Sequence, residues 1–243
     1  MLAVAAIIGG TASLQDCGPA RSGPLRGAFL EQLPTRTYRE QHPHTPRVPG
    51  VSCPAMELSF SALTEESWSA LQDLFGKPGA SNGCWCMYWR IGPRYRDRPR
   101  EDNKRDLENL ARSGPPPGLL AFDGAAAVGW CELAPRADLD WLASGRYFRP
   151  IDDMPVWSIP CFYIRRTHRG QGVMGSLIDA AVGVAASAGA PALESYPVDT
   201  DVPGHTRNLF LGIASTFARH GFEVVSRRQP AHPVMRKYFS ASS

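Results

Sequence analysis

Apolar positions recur with two periods along this chain, and the switches between them mark its elements. Met56-Glu-Leu-Ser-Phe60 alternates apolar and polar residues, the period of a strand with one buried face. Thr64 is a fitting N-cap ahead of Glu65 and Glu66; Trp68, Leu71, Leu74 and Phe75 then follow at helical spacing until Gly76 ends the turn, so a helix is expected. A Gly-, Pro- and Asn-rich loop leads to Cys84-Trp-Cys-Met-Tyr-Trp-Arg90, an aromatic cluster too bulky to leave in water, which is expected to wall a pocket. Arg98 to Arg112 reads as a second helix, with Leu107, Leu110 and Ala111 apolar and a Glu101/Arg105 pair, stopped by Gly114 and three prolines. Gly118 to Asp123 and Ala125 to Leu133, joined at Asp-Gly, read as a hairpin.

Val156 to Ile164 supplies a longer strand in which Pro160 removes one ladder hydrogen bond, so a bulge or an edge is expected there. Gly172 to Gly189 is helical, with Val173, Leu177, Ala181, Val184 and Ala188 on one face. Ala192 to Tyr196 returns as a strand. Leu209, Ile213 and Phe217 mark a last helix closed by Gly221, and Phe222 to Arg227 and Pro233 to Phe239 finish as strands. No internal repeat of useful period appears.

Residues 9–55 follow neither period and carry seven prolines, so 1–55 is expected to be a disordered leader or a mis-assigned start, with 56–243 as one domain. Apolar Met1 to Ile8 lacks the basic residues and the cleavage site of a secretion signal. No apolar run approaches the ~18 residues of a membrane span. The 243 residues are 43% hydrophobic and 20% charged with net charge +3, which excludes disordered and collagen-like classes and is too mild to announce nucleic acid or a membrane surface. Six cysteines lack the density of a secreted disulfide scaffold, so reduced thiols and a cytoplasmic location are expected.

The segment between the long strand and the following helix, Arg165-Arg-Thr-His-Arg-Gly-Gln-Gly-Val-Met-Gly175, carries the chemistry. Gly170 and Gly172 permit a tight turn with open amides at a helix N-terminus, which bears about half a positive charge. Arg165, Arg166 and Arg169 add to it, so a phosphate or diphosphate is the expected occupant. Two other readings compete: glycines that merely turn the chain, and a dinucleotide fingerprint, since Gly170, Gly172 and Gly175 match G-x-G-x-x-G with Glu194 downstream. Against the fingerprint, five residues separate the strand from Gly170, no βαβ series precedes it, and the doubly wound sheet cannot be completed.

This order of elements resembles the GNAT superfamily of N-acetyltransferases. In that family a Q/R-x-x-G-x-G/A signature follows the fourth strand, and Arg169-Gly-Gln-Gly-Val-Met174 fits with Met174 departing at the last position. The runs Cys-Phe-Tyr-Ile, Leu-Glu-Ser-Tyr-Pro-Val-Asp and Phe-Ala-Arg-His-Gly-Phe-Glu-Val-Val are similar to a bacterial branch that also carries a Cys-Trp-Cys-Met segment. The resemblance implies an α/β fold: a mixed, mostly antiparallel sheet of six to seven strands flanked by about four helices. It implies acetyl-CoA as cosubstrate, its diphosphate held by Arg169, Gly170, Gln171, Gly172, Val173, Met174 and Gly175. It also implies that the backbone of Phe162, Tyr163 and Ile164 pairs with the pantetheine arm, where the fourth and fifth strands splay. The expected reaction is direct acetyl transfer, in a ternary complex, to a primary amine of a small molecule or peptide by a monomer or homodimer, without nucleic acid or membrane. The alternatives are an acyl-CoA-binding protein without catalysis and a dinucleotide-dependent oxidoreductase.

Only about one alkylammonium in two thousand is deprotonated at pH 7, so a base is wanted. Glu194 and Tyr196 alternate onto one strand face and are the expected base and acid, with Glu132 in reserve. Their other reading is a salt bridge and an ordinary strand aromatic. Many members of the superfamily supply the acid from a tyrosine in the last helix, but Phe217 stands here. No metal is expected at Cys84 and Cys86, which lack a second ligand pair. A Cys161–His168 nucleophile is set aside because nothing fixes the two together. The basic stretch Arg90 to Arg105 is expected to be a solvated face.

Overall fold

A computed structural model describes residues 56–239; the expected leader, with Cys17 and Cys53, lies outside the described residues. One seven-stranded sheet organises them: β1 (Leu58–Ala62), β2 (Gly118–Asp123), β3 (Ala126–Pro135), β4 (Trp157–Ile164), β5 (Ala192–Ser195), β6 (Glu223–Gln229) and β7 (His232–Tyr238). Their order is β1-β2-β3-β4-β5-β7-β6. Only β4 and β5 are parallel; every other pairing is antiparallel. This is the mixed, mostly antiparallel sheet expected, and it has no doubly wound parallel half.

Among the described residues six α-helices flank it: α1 (Trp68–Phe75), α2 (Tyr88–Ile91), α3 (Arg100–Ser113), α4 (Asp140–Ser144), α5 (Val173–Ser187) and α6 (Ala214–Arg219). About four were expected. The additional α2 and α4, of four and five residues, are too short to show a period. The last helix also needs correcting. Leu209–Leu211 forms a separate 3-10 turn, Gly212 takes φ +84°, and Ile213 bridges in parallel to Val198 before α6 starts. The first helix begins at Trp68, and Thr64 does not cap it: the Thr64 amide instead donates to Ser67 Oγ at 2.9 Å, and Ser67 Oγ donates to the Ala62 carbonyl.

Each face of the sheet buries its own core. α5 lies across β1 to β5 and buries Val173, Leu177, Ile178, Ala181 and Val184 against Val128, Cys131, Leu133, Ile159 and Leu193. On the opposite face Trp68, Leu71, Phe75, Trp85, Leu107 and Trp130 pack together. Fully burying each large side chain contributes about 1.5–3 kcal/mol, so these two clusters hold α5 and α1 in fixed positions on either side of β4.

At β4 the sheet opens. β3 and β4 pair Glu132 with Cys161 and Ala134 with Ser158, so Ile159 and Pro160 of β4 oppose Leu133 alone of β3 and the bulge falls there. The missing N–H of Pro160 is the local reason. β5 pairs with β4 only through Trp157↔Leu193, Ser158↔Glu194 and Ile159↔Ser195, and beyond that point the two strands part.

Candidate active site

The opening between β4 and β5 leads into a cavity of about 730 Å³, within the range of small-molecule sites. Its wall includes Phe162, Tyr163 and Ile164 from the free edge of β4, and Arg169, Gly170, Gly172, Val173, Met174 and Gly175 from the turn into α5. Leu209, Phe210, Ile213, Thr216 and His220 close the far side. Gln171 alone of the expected binding residues is not in the wall: its side chain donates to the Thr167 carbonyl at 2.7 Å and fastens the turn from outside.

Local conformation explains why the turn is glycine-rich. Gly170 and Gly172 take φ of +73° and +86°, where a side chain is strained, and Gly172 is the N-cap of α5. No side chain caps this helix. The first amides of a helix have no acceptor within it, so the N–H groups of Val173, Met174 and Gly175 are left to whatever enters the cavity. The cradle is therefore built for an anion, and its residues fit a diphosphate. The arginines are spread more widely than the sequence implied. Arg169 lines the cavity while its Nε donates to the Ile164 carbonyl; Arg165 points away, bonded to the Ala127 carbonyl and to Asp73 at 2.6 Å.

Gly175 has a different reason. A Cβ there would lie 2.8 Å from His220 Nε2. His220 reaches from the end of α6, its Nδ1 2.6 Å from Asp179 of α5, and sequence reasoning missed it because the two partners lie 41 positions apart. The third glycine of the G-x-G-x-x-G pattern thus makes room for an imidazole. Gly175→Ala is expected to push His220 from the cavity wall, costing about 1–3 kcal/mol of stability and weakening the binding of a diphosphate ligand several-fold. Urea denaturation and calorimetric titration check the two effects.

Glu194 and Tyr196 share a strand face as expected, but the structure does not bring them to the cavity wall. Glu194 is 1% exposed. Its Oε1 accepts from Arg236 Nε and Nη2 at 3.0 and 2.5 Å, and its Oε2 accepts from Arg136 Nη1 at 2.9 Å and from the Tyr196 hydroxyl at 2.8 Å. Arg236 continues to Asp152, whose carboxyl it holds below the usual carboxylate range, and Arg136 to the Phe148 carbonyl. Burial pushes the Tyr196 phenol well above its ordinary range, with the Glu194 charge adding to it. Both carboxylate oxygens already face cations, so this network ties the 136–155 segment to β5 and β7 and leaves no lone pair to take a substrate proton.

The reserve carboxylate is placed otherwise. Glu132 is 1% exposed and neither of its oxygens has a hydrogen-bond partner. Arg90 Nε lies 3.4 Å away and is itself unpartnered. Burial pushes the Glu132 carboxyl up to about 8, against the pull of Arg90. Around it stand Cys84, Cys86 and Cys161, with Cys86 Sγ 3.8 Å from Cys161 Sγ and 3.1 Å from Trp130 Nε1. Cys86 is buried and accepts from Trp130, Cys161 is half-buried, and both thiols are held above their ordinary range, as packed thiols are rather than nucleophiles. His168 sits elsewhere, 3.3 Å from Asp123, so Cys161 and His168 are not paired. In the basic stretch Arg98 pairs with Asp106 and Arg105 with Asp102 on a partly solvated face, but the expectation fails at Arg90, Tyr95 and Asn103, which turn inward.

Residues 82–209 match the family model described as the acetyltransferase (GNAT) family, just over half of the chain. The chain belongs to the GNAT acetyltransferase family. No match is found among curated proteins. Among solved structures the chain is similar to an acetyltransferase at 21% identity and TM-score 0.47, over 74% of this chain and 98% of that one. It is similar to the PaiA N-acetyltransferase from Thermoplasma acidophilum in complex with coenzyme A at 16% identity and TM-score 0.43, over 76% and 100%. A third is YncA from Salmonella typhimurium with its cofactor acetyl-CoA, at 12% identity and TM-score 0.44, over 76% and 96%. Within this GNAT domain Phe217 is fully buried against Phe162 and Phe222, so α6 offers no acid at that position. Among the described residues no helix is long and apolar enough to cross a membrane.

Proposed function

We propose that this GNAT protein transfers the acetyl group of acetyl-CoA to a primary amine, directly, in a ternary complex. The observation that carries the reading is the cavity at the β4–β5 opening, where an uncapped helix N-terminus meets an unpaired strand edge. The amides of Val173, Met174 and Gly175 are positioned to hold a diphosphate, and the free edge of Phe162, Tyr163 and Ile164 to pair with an extended amide arm. Acetyl-CoA supplies an activated thioester; the chain supplies orientation and a dry wall around it. Phe162 and Ile213 give that path an apolar wall, which favours the exclusion of water. Met174 keeps its amide at the helix start and lines the cavity, while its side chain packs partly buried against the core under α5.

Glu194 and Tyr196 are assigned to holding the sheet together rather than to proton transfer, because their polar atoms are consumed by Arg136, Arg236 and Ser158. Thiol release from acetyl-CoA, followed against a panel of primary amines, tests the reading. Amine-dependent release is the expected result. Binding of acetyl-CoA with no release for any amine would assign the cavity to an acyl-CoA-binding protein without catalysis.

A further inference from the structure

We infer that Glu132 is the single proton carrier of the reaction, taking the proton of the incoming ammonium and returning it to the departing sulfur. The inference rests on the acetyl-transfer reading and deepens it. Four observations converge. Glu132 projects from β3 on the same sheet face as its register partner Cys161; neither lines the cavity, and the link to it runs through Tyr163, two residues further along β4 on that face, which does. Both of its oxygens are buried without a hydrogen-bond partner, in contrast to those of Glu194. A buried polar group left unpaired costs about 1–3 kcal/mol, so a carboxyl kept in that condition points to a partner that arrives with the substrate. The loop that walls it off is strained: Trp85 and Cys86 take φ of +45° and +53°, held there by packing of Trp85 on Trp68 and Phe75. Strain of this kind gathers at functional sites. Finally, Phe217 leaves the thiolate without a hydroxyl donor from α6.

The groups facing Glu132 are Arg90 from α2, Cys84 and Cys86 from the preceding loop, and Cys161 from β4. Arg90 is the one charge among them, and it lies at ion-pair distance without a hydrogen bond, close enough to keep the carboxylate form accessible and too poorly aligned to consume it. The carboxylate accepts one proton from the ammonium; the freed amine nitrogen forms a C–N bond to the acetyl carbon as the C–S bond breaks. The resulting carboxylic acid gives that proton to the thiolate sulfur, and the amide nitrogen sheds its second proton to water. Base and acid are one group, with no net change in the carboxyl.

The test compares Glu132→Gln with wild type. For an alkylamine, kcat is expected to fall by about 100- to 1,000-fold with an unchanged KM for acetyl-CoA, and the rising limb of the wild-type pH profile near pH 8 should vanish. Hydroxylamine, which arrives already neutral, should lose far less. A second readout needs no activity. Because folding raises this carboxyl from its ordinary 4.5 to about 8, the folded chain keeps a proton that the unfolded chain releases, so its stability falls as pH rises through that window. Glu132→Gln lacks that slope, and its denaturation midpoint should overtake that of wild type progressively from pH 5 to 8. An active Glu132→Gln with the wild-type pH limb, or parallel stability curves, overturns the role of Glu132 and leaves acetyl transfer standing. A wild-type protein that acetylates neither alkylamine nor hydroxylamine overturns both.

Discussion

Glu194→Ala is expected to lower stability by about 3–5 kcal/mol, because it strands the guanidinium groups of Arg136 and Arg236 in the interior without their shared carboxylate. Arg136 and Arg236 are 7% and 2% exposed, so water cannot take over the lost contacts. For a domain of this size each kcal/mol shifts the thermal midpoint by roughly 2–4 °C, and the variant should melt about 6–20 °C below wild type. Differential scanning calorimetry measures this. A fall in kcat with an unmoved midpoint would instead return Glu194 to the chemistry. The pairing with Asp152 adds a pH signature of fixed sign. The carboxyl of Asp152 is lowered in the folded state, so its contribution is present above the ordinary carboxylate range and fades as pH falls below it.

Gly172→Val is expected to weaken acetyl-CoA binding by roughly 100-fold. A β-branched residue resists φ of +86° by about 1–2 kcal/mol, so the turn must rotate and the amides behind it lose their aim. A 100-fold loss is about 2.7 kcal/mol, the size of one charge-assisted hydrogen bond at about 1.5–3 kcal/mol lost outright or of two weakened. The core face of α5, with Leu177, Ile178 and Ala181 fully buried, is not touched, and the variant should remain folded. Isothermal titration of wild type and variant at one temperature reads the difference. Equal affinities would remove the amides of α5 from the binding of the diphosphate.

Much of this fold was legible because strands and long helices advertise themselves by period. The Pro160 bulge followed from one missing N–H, and the glycine turn from two residues that sit where only glycine is unstrained. What escaped was anything assembled from distant positions. Strand alternation put Glu194 and Tyr196 on one face correctly, yet nothing local reveals that Arg136 and Arg236, 58 and 42 positions away, converge on that carboxylate. His220 and Asp179 meet in the same way across 41 positions. The last helix was read as continuous because Leu209, Ile213 and Phe217 keep the right spacing; the left-handed Gly212 and the bridge from Ile213 to Val198 break it. For Glu132 the signal was its place in a hairpin strand otherwise buried from Ala127 to Ala134, where a carboxylate is costly unless it has a use.

Calorimetric titration of acetyl-CoA into the folded protein bears most directly on whether the helix start and the open strand edge form a thioester-carrier site. Wild type is expected to bind one molecule per chain saturably, and Gly172→Val to lose nearly all of the signal at the same concentrations. Folded wild-type protein that gives no heat of binding, or that binds equally well after the substitution, would contradict that expectation.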